Sequence, residues 1–231
     1  MHYTGASDSN KPLFLSSATT EEIILHREQV RRSQNPCPVR ICPKCHEKSD
    51  SFIRYDKKNR KFRVVIEQVI HVVLGLLTCW KCPECGKCFM GYPPFAIPYK
   101  RYTIPTICAF SQRYVENDAM TYRDLIEETP LLSSTCPEWE LSHSTIHRWI
   151  STLGRLNTTM SKAQDFILQV EPASTICRDL AGLTVPIHKY LCESRKTLLL
   201  ACRKLMEIEK RFSRLFGVSI FHQLATDCAY G

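Results

Sequence analysis

Glycine is scarce in this chain: eight among 231 residues, scattered singly. No glycine-rich segment exists to wrap a phosphate, which excludes the common nucleotide-binding loops. Long apolar runs are missing too. The longest, residues 64–77, spans fourteen positions and includes Glu67, Gln68 and His71, too short and too polar to cross a bilayer. Its Val and Ile content and the Gly75 break read as one or two β-strands, and no membrane span is expected. Residues 1–11 lack the apolar stretch of a signal peptide. There is no internal repeat and no local signature of a nucleophile with its base. Asp118, Asp124, Asp165, Asp179 and Asp227 can be assembled on paper into a nuclease triad. They lie in helical or loop text, however, whereas such sites hang their acids from core strands. A protein without catalytic residues is the expectation.

What is present is cysteine and positive charge. Thirteen cysteines would suggest a disulfide scaffold in a short secreted chain. Here the chain is long, the count is odd and the cysteines cluster as Cys-x-x-Cys, so the expectation is a reducing, cytoplasmic location with bound metal. The net charge of +8, with a pI near 8.9, favours an anionic partner. Between Cys37 and Arg101 thirteen Lys/Arg stand against five Asp/Glu, so the entire excess sits in one segment.

That segment also holds two matched pairs, Cys42-Pro43-Lys44-Cys45 and Cys82-Pro83-Glu84-Cys85. Each places two thiols on one tight turn, and two such turns face to face make the tetrahedral, closed site of a structural Zn²⁺. Proline after the first cysteine pre-sets each turn, and Gly86 relieves the second. Thirty-six residues separate Cys45 from Cys82, longer than the roughly fifteen to twenty of a compact ribbon; strands filling the gap would form a hairpin carried by the site. Cys79, Cys82, Cys85 and Cys88 are each spaced by three, so Cys79/Cys82 and Cys85/Cys88 compete with the preferred Cys82/Cys85. Cys37, His46 and His71 are lower-ranked ligands, and thiols buried as small hydrophobes are the plain alternative.

The pattern divides the chain into four parts: a mobile tail and short helix (1–36), a four-cysteine zinc ribbon (37–102), a helix-turn-helix region (103–171) and a helical C-terminal region (172–231). Thr20 is placed to cap a helix over 21–32, with Ile23, Ile24, Arg27 and Val30 on one side. Strands are expected over 52–55 and 61–66, with a turn at Asp56-Lys57-Lys58-Asn59. The prolines of 92–98 mark a boundary. Beyond them come helices over 107–117 and 121–128, the latter with Thr121 and Asp124 in capping-box spacing. A loop covers 130–140, and 142–170 is a long helix or a helix pair. Leu191, Leu198, Leu205 and Phe212 recur every seven residues, with Ala201, Ile208 and Leu215 between them, an amphipathic helix of about three heptads.

Ser142 is a good N-cap for the helix that follows. Ile146, Trp149, Ile150, Leu153 and Leu156 share its apolar face, while Ser144, His147, Arg148, Ser151 and Arg155 share the other. A recognition helix presents such a polar face to the major groove. An ordinary solvated face is the competing reading, and the thirteen residues between Glu128 and Ser142 exceed the three- to four-residue turn of the motif.

The order of parts resembles a family of bacterial mobile-element proteins, zinc-ribbon and helix-turn-helix proteins of uncharacterised type similar to the N-terminal DNA-binding regions of insertion-sequence transposases. The resemblance runs from about Cys42 to Leu156. It rests on the two cysteine pairs, Phe89, the segment Pro94-Phe95-Ala96-Ile97-Pro98-Tyr99-Lys100-Arg101-Tyr102, and Ser144-Thr145-Ile146-His147-Arg148-Trp149. It implies that Cys42, Cys45, Cys82 and Cys85 bind zinc and that the helix near Ser144 contacts DNA. The long 130–140 loop and the lack of a recognisable catalytic domain depart from the pattern.

The resulting expectation is an α+β protein, a small β zinc ribbon followed by a mainly helical region. It would hold one structural Zn²⁺ and bind double-stranded DNA in the bacterial cytoplasm, at the nucleoid, as an accessory or regulatory protein, with transposition proteins as further partners. Arg54, Lys57, Lys58, Arg60, Lys61, Arg63, Lys100 and Arg101 would contact phosphates, and the helix from Ser142 would read bases. The second reading is an interaction adaptor whose helix over 191–215 docks on a partner or forms a homodimer; a truncated transposase is the third.

Overall fold

The computed structural model describes residues 18–128, 132–133, 141–186, 189–190 and 192–223. The expected tail, most of the 130–140 loop and Leu191 lie outside them. The fold is α+β, with a sheet at one end and a helical bundle at the other. In chain order the elements are α1 (Ala18–Arg31), β1 (Ile53–Ile66), β2 (Val69–Lys81), β3 (Cys88–Gly91), α2 (Ile104–Glu116), α3 (Tyr122–Glu127), β4 (Leu132–Ser133), α4 (His143–Leu153), α5 (Asn157–Val170), α6 (Ile176–Ala181), α7 (Glu193–Phe216) and α8 (Ile220–Gln223).

One long hairpin dominates the sheet. β1 and β2 pair antiparallel from Ile53↔Lys81 to Ile66↔Val69. The expected turn at 56–59 is instead the middle of β1, marked only by a bulge between Arg54 and Asp56. The chain reverses at Glu67 and Gln68, both at positive φ (47° and 66°), as a two-residue hairpin loop of the primed type requires. Polar 56–59 stays in the ladder because β1 is an edge strand, where lysines face water and discourage pairing with another chain. Gly75 does not break β2. A Cβ there would lie 2.6 Å from Cε2 of Phe62, so the glycine makes room for a buried ring on the same face. β3 pairs with the end of β2, and β4 runs parallel to its start.

The hairpin is anchored at both ends. On one face Ile23 of α1 meets Phe62, Val64, Leu77 and Phe95. At the turn end Val65 and Ile70 enter the helical core, where the Val65 amide donates to Thr106 Oγ1 at 3.4 Å. At the open end Val39, Phe52, Trp80 and Phe89 pack around Cys42 and Cys82. α1 begins at Ala18, so Thr20 lies inside the helix; Ile23 and Val30 are fully buried, while Ile24 is exposed.

The bundle follows its local signals closely. Pro105 occupies the first turn of α2, where its missing N–H costs nothing. Thr121 and Asp124 form a reciprocal capping box on α3. Ser142 caps α4 by accepting from the Ser144 amide. The 142–170 stretch is a helix pair, interrupted at Gly154. α7 crosses α2, α4 and α5 and places Leu199, Cys202, Leu205, Met206, Ile208 and Phe212 in the largest core. Leu205, Ile208 and Phe212 of the heptad seam are thus taken up by the chain's own helices. The seam's other described members, Leu198, Ala201 and Leu215, are half-buried. The large core also spans the expected divisions at 102/103 and 171/172, drawing residues from all three parts.

Gly154 fixes where α4 meets α7. A Cβ there would lie 2.3 Å from the Leu198 carbonyl oxygen, a backbone atom that cannot swing aside. Gly154→Ala should destabilise the chain by about 1–3 kcal/mol through overpacking. At Gly182 the nearest atom to a Cβ is 3.6 Å away, and Gly182→Ala should change stability by less than about 1 kcal/mol. Urea midpoints of the two variants at unchanged m-value measure the contrast.

Candidate metal centre and basic strip

The two cysteine turns are built alike. The Cys42 amide donates to the Glu47 carbonyl (2.9 Å) and the His46 amide to the Cys42 carbonyl (2.9 Å); the Cys82 amide donates to Lys87 (3.0 Å) and the Gly86 amide to Cys82 (3.0 Å). His46 stands at φ 62° where its counterpart Gly86 stands at φ 67°. In the first turn a β-carbon bearing residue therefore takes the left-handed conformation that glycine takes freely in the second. The first turn is held by the isolated bridge Ile41↔Lys48, the second by β2 and β3 themselves.

These turns bring all four sulfurs within 4.8 Å of one another. Cys42 Sγ lies 3.9 Å from Cys85 Sγ, and Cys45 Sγ lies 3.9 Å from Cys82 Sγ. A tetrahedral ion with metal–sulfur bonds of about 2.3 Å sets its sulfurs roughly 3.8 Å apart, which the two 3.9 Å pairs match, with the remaining distances within 4.8 Å. All four are free thiols. The Lys44 amide points at Cys42 Sγ from 3.4 Å, as expected of a turn that stabilises thiolate. Burial opposes ionisation of Cys42, yet the amides of Cys45 and Lys44 and the neighbouring thiols of Cys45 and Cys82 bring it down to about 7. At Cys45 the Glu47 amide favours the thiolate, but burial and the sulfurs of Cys85, Cys42 and Cys82 push it up to about 12. Four adjacent sulfurs thus resist joint ionisation until a cation neutralises them. A tetrahedral four-sulfur set suits zinc or iron.

The competing ligands fall outside this group. Cys79 and Cys88 lie on β2 and β3, offset in the register from each other, and burial followed by the nearby Cys88 raises the Cys79 thiol. Cys37 packs against the cluster without joining the four sulfurs. His71 faces Val64 across the hairpin. Among the described residues no other group of three or more His, Cys, Asp or Glu lies close enough to share an ion. Asp118 pairs with Arg203 and Asp124 caps α3, so these acids serve separate structural roles.

The cations expected to meet phosphate separate into two sets. Arg54 lies over the Trp80 ring at 4.9 Å and donates to the Asn35 carbonyl at 2.5 Å. Lys57 donates to the Arg31 carbonyl at the end of α1 (2.9 Å), and Lys58 sits near Cys79. These three belong to the cysteine end of the hairpin. The second set gathers midway along β1. Arg60, Lys61, Arg63 and Arg101 line a hollow of about 330 Å³ with Asn59 and Val72. Lys100, His147, Arg148, Ser151 and Arg155 line an adjoining hollow of about 560 Å³.

Segment 97–103 joins the two hollows. The Arg63 amide donates to the Arg101 carbonyl (2.8 Å), and the Thr103 amide donates back to Arg63 (3.2 Å). Arg60 donates to the Lys100 carbonyl (3.2 Å). Arg63 stacks on Tyr102 at 5.5 Å, and Tyr102 meets Trp149 of α4 edge-on at 5.0 Å. Strand, segment and helix are therefore locked together by one row of side chains. Burial, then the charge of Arg148, holds the Lys100 amine below its usual range. Burial, then Arg195 and Arg148, does the same for His147, which leaves its ring neutral at pH 7.

On α4 itself the polar face is less open than its sequence suggests. Ser144 is tied into the cap by Ser142. Ser151 Oγ donates to the His147 carbonyl (2.8 Å), and His147 lies edge-on to Tyr122. Arg148 is the exposed member on α4, and Arg155 is exposed just beyond its C-cap Gly154. α3 packs against α4, but the chain between them returns to the hairpin tip as β4 rather than forming a tight turn. Sequence reasoning missed Tyr99, which sits 87 % exposed at the mouth of the larger hollow. The neighbouring Pro98 was the available signal, because proline before a residue at positive φ marks a tight turn.

No protein-family model matches the chain, and no curated protein or solved structure is similar to it.

The four-sulfur group is checked with Co²⁺, whose thiolate charge-transfer bands report sulfur ligation. The wild-type chain should bind a single Co²⁺ with those bands, Cys42→Ser and Cys85→Ser should lose them, and Cys79→Ser and Cys88→Ser should keep them.

Proposed function

We propose that this chain is a DNA-binding protein stabilised by one structural Zn²⁺ on Cys42, Cys45, Cys82 and Cys85. Phosphates run along Arg60, Lys61, Arg63, Lys100 and Arg101, and Arg148 of α4 meets the bases together with Arg155 just beyond the helix. The two cysteine turns with the hairpin they carry serve as the zinc ribbon, and α3 with α4 as a helix-turn-helix whose linking segment is unusually long.

One contrast in the charges carries this reading. In the bundle five cations pair with carboxylates: Arg113 with Glu128, Lys196 with Glu193, Arg203 with Asp118, Lys210 with Glu116 and Glu207, Arg211 with Glu171. Along the strip, no carboxylate among the described residues pairs with Arg60, Lys61, Lys100, Arg101, Arg148 or Arg155. Gathering like charges around two adjoining hollows costs folding energy, and a polyanion offsets that cost. The metal does no chemistry in this scheme; a closed four-thiolate site has no position for substrate. The resemblance to mobile-element proteins supports an accessory or regulatory role beside transposition proteins in a bacterial cytoplasm.

The salt dependence of duplex binding tests the proposal. With five to seven phosphate contacts, log K should fall against log salt concentration with a slope of about −5 to −6. Arg60→Gln or Arg101→Gln should each make that slope shallower by about one and weaken all duplexes alike. Arg148→Ala should flatten the preference between unrelated sequences. Equal preference in wild type and Arg148→Ala would remove base reading by α4.

A further inference from the structure

Tyr99 occupies a backbone position that normally selects against tyrosine. The Lys100 amide closes a turn onto the Ile97 carbonyl at 3.1 Å, with Pro98 second and Tyr99 third in the turn. Tyr99 has φ 64°, the left-handed conformation for which glycine or asparagine is the usual choice at that position. Its ring finds little packing in return. It is 87 % exposed, and among the described residues its one ring contact is the tilted Tyr92 ring at 6.4 Å. A strained residue with an unburied aromatic ring has no account in the fold's own stability.

Its surroundings supply one. The 560 Å³ hollow beside it falls within the roughly 300–1,000 Å³ range of small-molecule sites. Ile97 and Leu156 give it an apolar floor, and Lys100, Arg148 and Arg155 a cationic rim. An apolar floor, a projecting ring and a cationic rim match the parts of a single nucleotide: a flat base to stack and a phosphate to neutralise. A paired base inside a duplex cannot reach a ring in this way, because its faces are already stacked.

We infer that Tyr99 and this hollow hold one unpaired base of the DNA, stacked on the ring with its phosphate against Lys100. This rests on the nucleic-acid reading above and deepens it: the preferred ligand is DNA carrying an unstacked nucleotide, and a continuous duplex binds as proposed above without engaging the Tyr99 ring.

The zinc-loaded full chain is titrated with an intact duplex, a duplex carrying a single bulged 2-aminopurine, and a single strand containing 2-aminopurine. The bulged duplex should bind about tenfold more tightly than the intact one, with the 2-aminopurine fluorescence quenched by stacking. Tyr99→Gly suits the backbone, so it should fold with an unchanged or raised Tm; it should abolish both the preference and the quenching and leave intact-duplex affinity unaltered. Tyr99→Trp should retain both. Quenching on the single strand alone, without tighter binding of the bulged duplex, overturns the inference. So do a preference and quenching that survive in Tyr99→Gly. Intact-duplex binding without any preference for the bulge defeats this inference and spares the DNA reading, whereas no binding to any of the three probes defeats both.

Discussion

Four thiols held within 4.8 Å of one another are the constraint on which the rest of this structure depends. Without a cation, sulfurs so placed oppose one another's ionisation. With one, a tetrathiolate site contributes on the order of 10 kcal/mol to the state that holds it. A whole domain is stable by only about 5–15 kcal/mol, so a term of that size decides whether the cysteine end of the sheet exists. The apolar cluster beside it is small, six buried residues of which two are cysteines.

The long hairpin is the consequence. Its open end is closed by the sulfurs and its turn end is buried in the helical core through Val65 and Ile70. Between these anchors β1 exposes Lys61 and half-buries Arg60 at a sheet edge, and segment 97–103 sets Lys100 and Arg101 beside them. Tyr102 then carries the alignment from Arg63 to Trp149 of α4. The strip of positive charge lies on a paired strand beside α4, with Arg148 exposed on the helix and Arg155 exposed just past its C-cap Gly154. Rigidity here comes from packing at both ends of the hairpin, to which an ion on the four sulfurs would add; the charges oppose it.

Much of this was legible in the sequence where chemistry is local. The paired Cys-Pro-x-Cys turns, the Thr121/Asp124 capping box and the Ser142 cap each need only a few neighbouring residues to act, and each forms. The choice of Cys82/Cys85 over its neighbours also followed from turn residues. Non-local facts were hidden. Asp56-Lys57-Lys58-Asn59 has the composition of a turn, yet a partner strand keeps it extended, while the real turn falls at Glu67-Gln68, inside the longest apolar run. The heptads over 191–215 announce a buried stripe but not whose surface buries it; α2, α4 and α5 do. Tyr99 was hidden because positive φ in a tyrosine is imposed by Pro98 and by the turn's closure rather than by its own preference.

The account joins metal to DNA through one rigid hairpin, so the two should be gained and lost together. The direct measurement is duplex affinity of the full chain at fixed salt, zinc-loaded, after removal of the metal by a chelator, and after Zn²⁺ is restored. The account predicts that affinity falls at least about tenfold on stripping, a modest outcome given a site worth on the order of 10 kcal/mol, and returns on reloading. A metal-free chain that binds the duplex as tightly as the zinc-loaded one would contradict it.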